Sequence, residues 1–591
     1  MRAYNRIFNS VFPIAAMLVL FSTSSPILGQ DAPTPAEFLP PSTVIYGEIK
    51  APPDVIEALK SHPVVGQILE IEGIQTLMRT PQFAAVMMFW GLLEQELEED
   101  LFESLKQQTK NGIWFAVDLE SEAVVLMFRA KDEAGLKRTV GKLLKISSQW
   151  LPDQPPFKKV NYRDAVAAEI QGAGLIARYQ DWFIITNQSK MAKKIVDNLI
   201  DGAASSLSKS PWFTQVSQKN EQSDVWLAAD LETIRTTINN PSAFEGKTDN
   251  PAIEILLGGI LDTLQHAPTA TARLTINSSL QLSISAPFEP DWANEHREYF
   301  YGTDNQGRAP VPLRPRNMIA NLSTYRDIGR WWLSKEDLYD ESVIAQLTQA
   351  DTQLSTIFSG MDFGQDVLGA LKPGVQIIVA ENEYEKDYEP DLKLPAFALV
   401  GKLKDPQKLR RRLNIAFQSV IGFANINLGM NGQPQLEVET ENINKTKITS
   451  AEYFYEDDTE EGLILFNFSP SIAYTGEHLI LSSNRKLALE LSQLVAGTPG
   501  AYESQSNTLA TIDSEQLTKT LGANRESFIT QNMLEEGNDR RDAEYAIDLA
   551  LSIAELIKMI QFDLEVTPQR MNFQFELGFQ PSENTSASQK Q

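Results

Sequence analysis

Residues 176–186 of this 591-residue chain repeat themselves, without a gap, 296 positions later. Ile176-Ala177-Arg178-Tyr179-Gln180-Asp181-Trp182-Phe183-Ile184-Ile185-Thr186 matches Ile472-Ala473-Tyr474-Thr475-Gly476-Glu477-His478-Leu479-Ile480-Leu481-Ser482. The same register carries into a helix, pairing Lys190 with Lys486, Ala192 with Ala488 and Ile195 with Leu491. A repeat this long constrains the fold strongly, because each copy must be a complete structural unit rather than one turn of a solenoid.

Two further blocks extend the match. Lys131-Asp132 aligns with Lys404-Asp405 at an offset of 273, and each Asp is placed to cap a helix. Pro406 follows at the first helical position, where its missing N–H costs nothing. Leu136, Val140, Leu143 and Leu144 map onto Leu409, Leu413, Ala416 and Phe417, one apolar stripe per copy. The strands Gly112–Leu119 and Gly374–Ala380 align at an offset of 262. The offset therefore grows by 11 across the acidic stretch Glu381–Leu394, and by 23 across Gln435–Gly462. Insertions belong in surface loops, so both stretches are expected to project from the second copy.

Each copy closes with period-2 alternation. Ala272, Leu274 and Ile276 turn at Asn277-Ser278-Ser279 into Leu280, Leu282 and Ile284. Phe562, Leu564 and Val566 turn at Thr567–Arg570 into Met571, Phe573, Phe575 and Leu577. Such alternation marks antiparallel strands. Each copy reads as an opening strand (Thr43–Lys50 or Met318–Ser323), a helical stretch, two to four strands interleaved with two helices, and a terminal hairpin. The expected class is α+β: two tandem copies of an open, mainly antiparallel sheet with helices packed on one face. The organisation expected is a leader over 1–29, a first repeat over 38–290, a linker over 291–310, a second repeat over 311–579 and a disordered tail over 580–591. Pro310, Pro312 and Pro315 mark the lead-in to the second copy.

The leader follows from Arg2 and Arg6, the apolar run Val11–Phe21, a polar stretch and Gly29. This is the order of a cleaved secretory signal, with the cut after Gly29, and it implies an exported, periplasmic or extracellular protein. The alternative is an uncleaved anchor. No later stretch is apolar enough to cross a bilayer, since Phe83–Leu93 gives way to Glu94, Glu96, Glu98, Glu99 and Asp100. A net charge of −26 argues against nucleic acid and disfavours attachment to anionic lipid. The absence of cysteine removes disulfides, thiolate metal sites and cysteine nucleophiles.

Catalytic signatures are thin. His62, His266, His296 and His478 are dispersed, and His478 stands where the first copy has Trp182. Ser206–Lys209 and Ser483–Lys486 fit S-x-x-K without the companion motifs, and Ser483 reads as a helix cap. No Walker A loop and no dinucleotide fingerprint occurs, so no cofactor is expected. The acidic runs Glu456–Glu461 and Glu381–Asp391 lack calcium-loop spacing and read as solvated insertions, with a loose cation site as the alternative. Of Trp331-Trp332 one is expected in the core and the other near a rim, with Trp90 a third aromatic for stacking. Gln82–Gln108 is either a helix packed on the sheet or the Met-containing wall of a lipid or peptide groove.

The opening Leu39-Pro40-Pro41-Ser42-Thr43-Val44-Ile45-Tyr46 resembles that of uncharacterised exported bacterial proteins filed as domains of unknown function. In these a signal peptide leads into long α+β repeats. The second copy departs from the pattern at Arg314–Ile319, and the resemblance brings no catalytic residues. The function expected is non-enzymatic: a binding or envelope-structural protein with no catalytic, cofactor or metal residues, its partner an unknown envelope or extracellular one. A carrier of an apolar, lipid-like ligand and a carboxylate-based hydrolase are the alternatives. Specific recognition is expected mainly in the second copy, on its added loops.

Overall fold

The computed structural model describes residues 34–71, 74–75, 109, 111–130, 133–134, 137, 158–170, 174–217, 223–237, 248–358, 360–384, 388–453, 464–497 and 504–580. The leader, Gln82–Gln108 with Trp90, the first-copy stripe Leu136–Leu144, Glu456–Glu461 and the tail Pro581–Gln591 lie outside them. The chain divides into two compact units, one holding 1–239 with 267–286, the other 240–266 with 287–580.

In the first unit the strands are β1 (Thr43–Ile49), β2 (Ile113–Asp118), β3 (Ala123–Arg129), β4 (Lys158–Tyr162), β5 (Ala165–Ile170), β6 (Gly174–Tyr179), β7 (Trp182–Thr186), β8 (Val225–Asp230), β9 (Thr269–Ile276) and β10 (Ser279–Pro287). Their order is β10-β9-β8-β1-β2-β3-β7-β6-β5-β4, antiparallel at every step. Helix α1 (Ser189–Asp201) buries Met191, Ala192, Ile195 and Val196 on the sheet, while α2 (Leu231–Thr237) starts at the end of β8.

In the second unit α3 (Pro251–His266) comes first in the chain. The strands are β11 (Met318–Thr324), β12 (Leu371–Ala380), β13 (Ala396–Leu403), β14 (Leu436–Ile443), β15 (Thr446–Tyr453), β16 (Ser471–Thr475), β17 (His478–Ser482), β18 (Thr508–Asp513), β19 (Ile557–Thr567) and β20 (Arg570–Phe579). They run β20-β19-β18-β11-β12-β13-β17-β16-β15-β14, again all antiparallel. The two orders are the same, strand for strand.

The register repeats as well. Met127 faces Ile184 across β3 and β7, and Val400 faces Ile480 across β13 and β17, each residue displaced by the offset of its own block. Both opening strands carry a bulge at the same place, between Thr43 and Ile45 and between Met318 and Ala320. Gly112 and Gly374, the residues at offset 262, both take positive φ (112° and 98°), which only glycine adopts at low cost. Asp230 and Asp513 both end a strand and accept a backbone N–H three residues on, capping the next helix.

Further helices of the second unit include α4 (Pro406–Met430), α5 (Arg485–Gly497), α6 (Ser514–Ala523), α7 (Arg525–Glu536) and α8 (Arg540–Leu556). Helix α5 packs Leu487, Ala488 and Leu491 against Ala473 and Ile480. Their strand neighbours Ile472 and Leu479 pack instead with Leu409 and Leu413 of α4. Successive side chains of a strand point to opposite faces. Thus α5 covers one face and α4 lies against the other near the β14 edge, so in this copy the helices are not confined to the one face expected. The α+β class and the open antiparallel sheet are as the sequence indicates.

Three further readings need correction. More strands separate the opening strand from the hairpin than the two to four expected, because β4–β5 and β14–β15 were not recognised. The stretch Gln435–Gly462 contains β14 and β15, the counterparts of β4 and β5, so the added length falls largely between β15 and β16 (454–470 against 171–173). Leu-Glu-Val-Glu-Thr-Glu at an exposed edge reads as an acidic loop, since edge strands carry charge to avoid further pairing. Finally, 291–310 is no free linker: Tyr299, Phe300 and Tyr301 are wholly buried there.

That segment is locked to α3. The Arg297 guanidinium donates to both Glu254 oxygens (Nε–Oε1 2.7 Å, Nη2–Oε2 3.0 Å), with Asp262 Oδ1 3.5 Å from Nη1. Tyr301 O–H donates to Gly259 O at 2.6 Å. Gly258 and Gly259 permit the approach, since a Cβ on Gly259 would meet the Phe300 ring at 2.2 Å. Arg326, fully buried, stacks on Phe300 and donates to Ile255 O, Leu256 O and Asn507 Oδ1. Burial pulls its guanidinium down to about 9, so it stays charged at neutral pH.

Candidate functional site

Where the first copy passes from β2 to β3 it needs only residues 119–122. Asp118 closes that turn by accepting Ser121 N–H at 2.9 Å and the Ser121 hydroxyl at 2.5 Å. The second copy has Ala380 at the equivalent position, with no side chain to close a tight turn, and residues 381–395 intervene. This is the insertion of 11 residues deduced from the offsets, and its described residues, 381–384 and 388–395, are tied down.

Two asparagines fix it. Asn467 lies just before β16, in the stretch where the second copy is longer than the first. Its Oδ1 accepts Leu394 N–H at 2.8 Å and Tyr384 O–H at 2.6 Å, while its Nδ2 donates to Leu392 O and Ile464 O at 2.9 Å each. Its backbone oxygen accepts from Asn382 Nδ2 at 3.1 Å. Asn524, between α6 and α7, accepts Lys393 N–H at 2.7 Å and returns a bond to Lys393 O at 2.8 Å. Asn467 is 1% exposed and Asn524 5%. Burial pushes the Tyr384 phenol up to about 12, so it stays protonated and keeps donating to Asn467 across the physiological range.

Beside the root of this loop is a polar cavity of about 240 Å³, lined among others by Arg316, Glu381, Asn382, Lys486 and Glu490. Its charges are mostly engaged. Glu381 pairs with Lys519 at 2.8 Å, Lys486 Nζ donates to Glu383 O at 3.2 Å, and Glu490 accepts Arg316 N–H at 2.7 Å. The arrangement offers a rigid, mixed-charge surface with hydrogen-bonding edges.

The residues singled out by sequence are scattered. His62 caps a helix through Nδ1, His266 stacks on Trp292, and His296 faces Asp337 at 3.1 Å. His478 sits in β17 with its pKa lowered by burial and then by Lys402. The helix α5 is capped by Asn484, which accepts from Lys486 and Leu487, and not by Ser483. Ser483 Oγ instead accepts Phe397 N–H at 3.0 Å, tying β13 to the helix start. In the other tetrad Ser206 and Ser208 bond each other, and Lys209 reaches only Ala204 O.

Both tryptophans are buried, so neither stands at a rim: Trp331 Nε1 donates to Tyr339 O–H oxygen and Trp332 Nε1 to Asp351. Within the acidic run Glu381–Asp391, Glu389 pairs with Lys393. Among the described residues no three His, Asp or Glu side chains are grouped to hold a metal ion. Sequence reasoning missed Asn467 and Asn524. For Asn467 the one available signal was its place just after the stretch Gln435–Gly462 over which the offset between the copies grows, and Asn524 carried none.

No protein-family model and no curated protein matches this chain. Among solved structures, crystal form IV of TP0453 aligns with 42% of this chain and 80% of its own, at 9% identity and a TM-score of 0.22. That likeness is too slight to assign a fold.

Proposed function

We propose that this is an exported, non-enzymatic binding or envelope-structural protein whose second copy carries the recognition surface. The observation behind this reading is the inserted loop 381–395, held by Asn467 and Asn524 on a scaffold whose strand order matches the first copy. A loop fixed in advance loses little conformational freedom on binding, which is how added loops acquire specificity. The leader over 1–29 supports export.

A carrier of apolar ligand would need open volume between helix and sheet. Ile480, Ala488 and Leu491, each 0% exposed, fill that space beneath α5. A carboxylate hydrolase would need an accessible acid of raised pKa. Burial raises Asp262, which is 1% exposed and faces Arg297, and also Glu48 and Asp563, which are part-buried on β1 and β19 of separate units.

The test is affinity capture from envelope extract with the full chain and with a variant in which Glu383–Leu394 is replaced by a short turn. Loss of the captured species with circular dichroism unchanged is expected, alongside a lower melting temperature from the amides of Asn467 and Asn524 left without the loop. Equal capture by both forms overturns the assignment to this loop. Export is checked separately by intact mass, with Gln30 expected as the first residue.

A further inference from the structure

Helix α4 starts like an ordinary surface helix and ends unlike one. Asp405 accepts Lys408 N–H at its first turn, and Leu409, Leu413, Ala416 and Ile421 face the sheet. On the outer side, however, Ile415 is 45% exposed, Phe423 60%, Ile426 62% and Met430 81%. These four are not scattered. At about 100° per residue they fall within a sector roughly 80° wide. Arg411 and Arg412, both exposed, fall on or beside the same sector one turn before Ile415. Among the described residues neither arginine has an ion partner, although the chain has 78 acidic residues against 52 basic.

Single exposed apolar residues need no explanation, but an aligned row along one helix does. The helix is pinned in place: Asn425 exchanges two hydrogen bonds with the Leu436 backbone (2.7 and 2.8 Å), so the row is presented and not frayed. Exposure rises along the row toward Met430. The exposed arginines beside the row, Arg411 and Arg412, select an anionic surface as its partner.

We propose that α4 lays this face onto an anionic lipid surface, with Phe423, Ile426 and Met430 entering the acyl boundary and Arg411 and Arg412 meeting phosphates. A row of apolar side chains with arginines alongside is what in-plane helices use at such interfaces. The net charge of −26 and the exposed Glu437 and Glu439 of neighbouring β14 oppose this, so the apolar row must supply the larger part of the binding, while repulsion beyond a Debye length of about 8 Å is screened at physiological salt. The inference does not depend on the inserted loop, which lies on other elements.

The experiment is vesicle flotation of the full chain with phosphatidylcholine vesicles, with and without phosphatidylglycerol. Wild type should float with the anionic vesicles and much less with pure phosphatidylcholine. F423E/I426E should bind about tenfold less or worse, since burying two large apolar side chains is worth more than one decade. R411E/R412E should lose binding mainly at low salt. All forms carry the same N-terminus, so the contrast reads the helix and not the leader, and their melting temperatures should agree. Equal flotation of wild type and F423E/I426E overturns the proposal. So does a wild-type dimer in sedimentation velocity that F423E/I426E converts to monomer without any effect on flotation.

Discussion

Asn467 holds Leu394 from both sides of one amide: Oδ1 accepts the Leu394 N–H at 2.8 Å, while Nδ2 reaches back to Leu392 O at 2.9 Å. The two residues stand 73 positions apart, each in a stretch that the first copy lacks. Two separate elongations of the second copy have thus become one structure.

Asn467→Ala should release that structure. Leu394 N–H, Tyr384 O–H and Leu392 O would lose their partner together, and a buried polar group left unsatisfied costs about 1–3 kcal/mol. The expected outcome is new protease cleavage within 381–395, with circular dichroism unchanged. Resistance equal to wild type would show that Asn524 alone suffices.

The buried charges at α3 give a pH-dependent prediction. Burial raises the Asp262 pKa, so its contribution to stability is present below the unfolded value and lost as pH rises through the folded one. Comparing wild type with Asp262→Asn from pH 7 to pH 4, the difference in melting temperature should move in favour of wild type on acidification. Glu254→Ala at pH 7 should be far worse, about 3–5 kcal/mol, because Arg297 would be left buried without its bidentate partner. A loss below 1 kcal/mol would mean water replaces the carboxylate.

Equivalent core positions should respond alike. Ile195 in α1 and Leu491 in α5 are both 0% exposed and occupy matching places in the two copies. Truncating either to alanine should cost about 2–5 kcal/mol in denaturant titrations. If one is costly and the other is not, the two cores differ despite their common topology.

Glycines separate packing from propensity. Gly259→Ala would drive a Cβ into the Phe300 ring and should cost about 1–3 kcal/mol. Gly66, on the helix Pro63–Glu70, has nothing within 4 Å of its Cβ position. Gly66→Ala should instead stabilise by about 0.5–1 kcal/mol. Calorimetric melts of the two variants should shift in opposite directions.

The duplication was legible because burial acts on each copy separately. The same period-2 and helical patterns must recur wherever the same core is rebuilt, so Ile184 and Ile480 could be paired before any coordinates. The closing hairpins and the capped start of α4 were legible for a related reason: alternation, Asp405 and Pro406 act within a few residues of themselves. The acidic edge strand β14 was not, because its charge serves to prevent pairing on one side while its backbone pairs on the other. Nor could sequence say that Trp331 and Trp332 would both be enclosed, since that depends on Tyr339 and Asp351 supplying acceptors from later in the chain. Local pattern thus determined the repeat, the class and most strands. Tertiary structure alone decided that α3 joins 287–580, that Asn467 and Asn524 set the inserted loop, and that α4 presents its apolar row outward. Each of those rests on a contact between residues far apart in sequence, whose free energy no single segment carries.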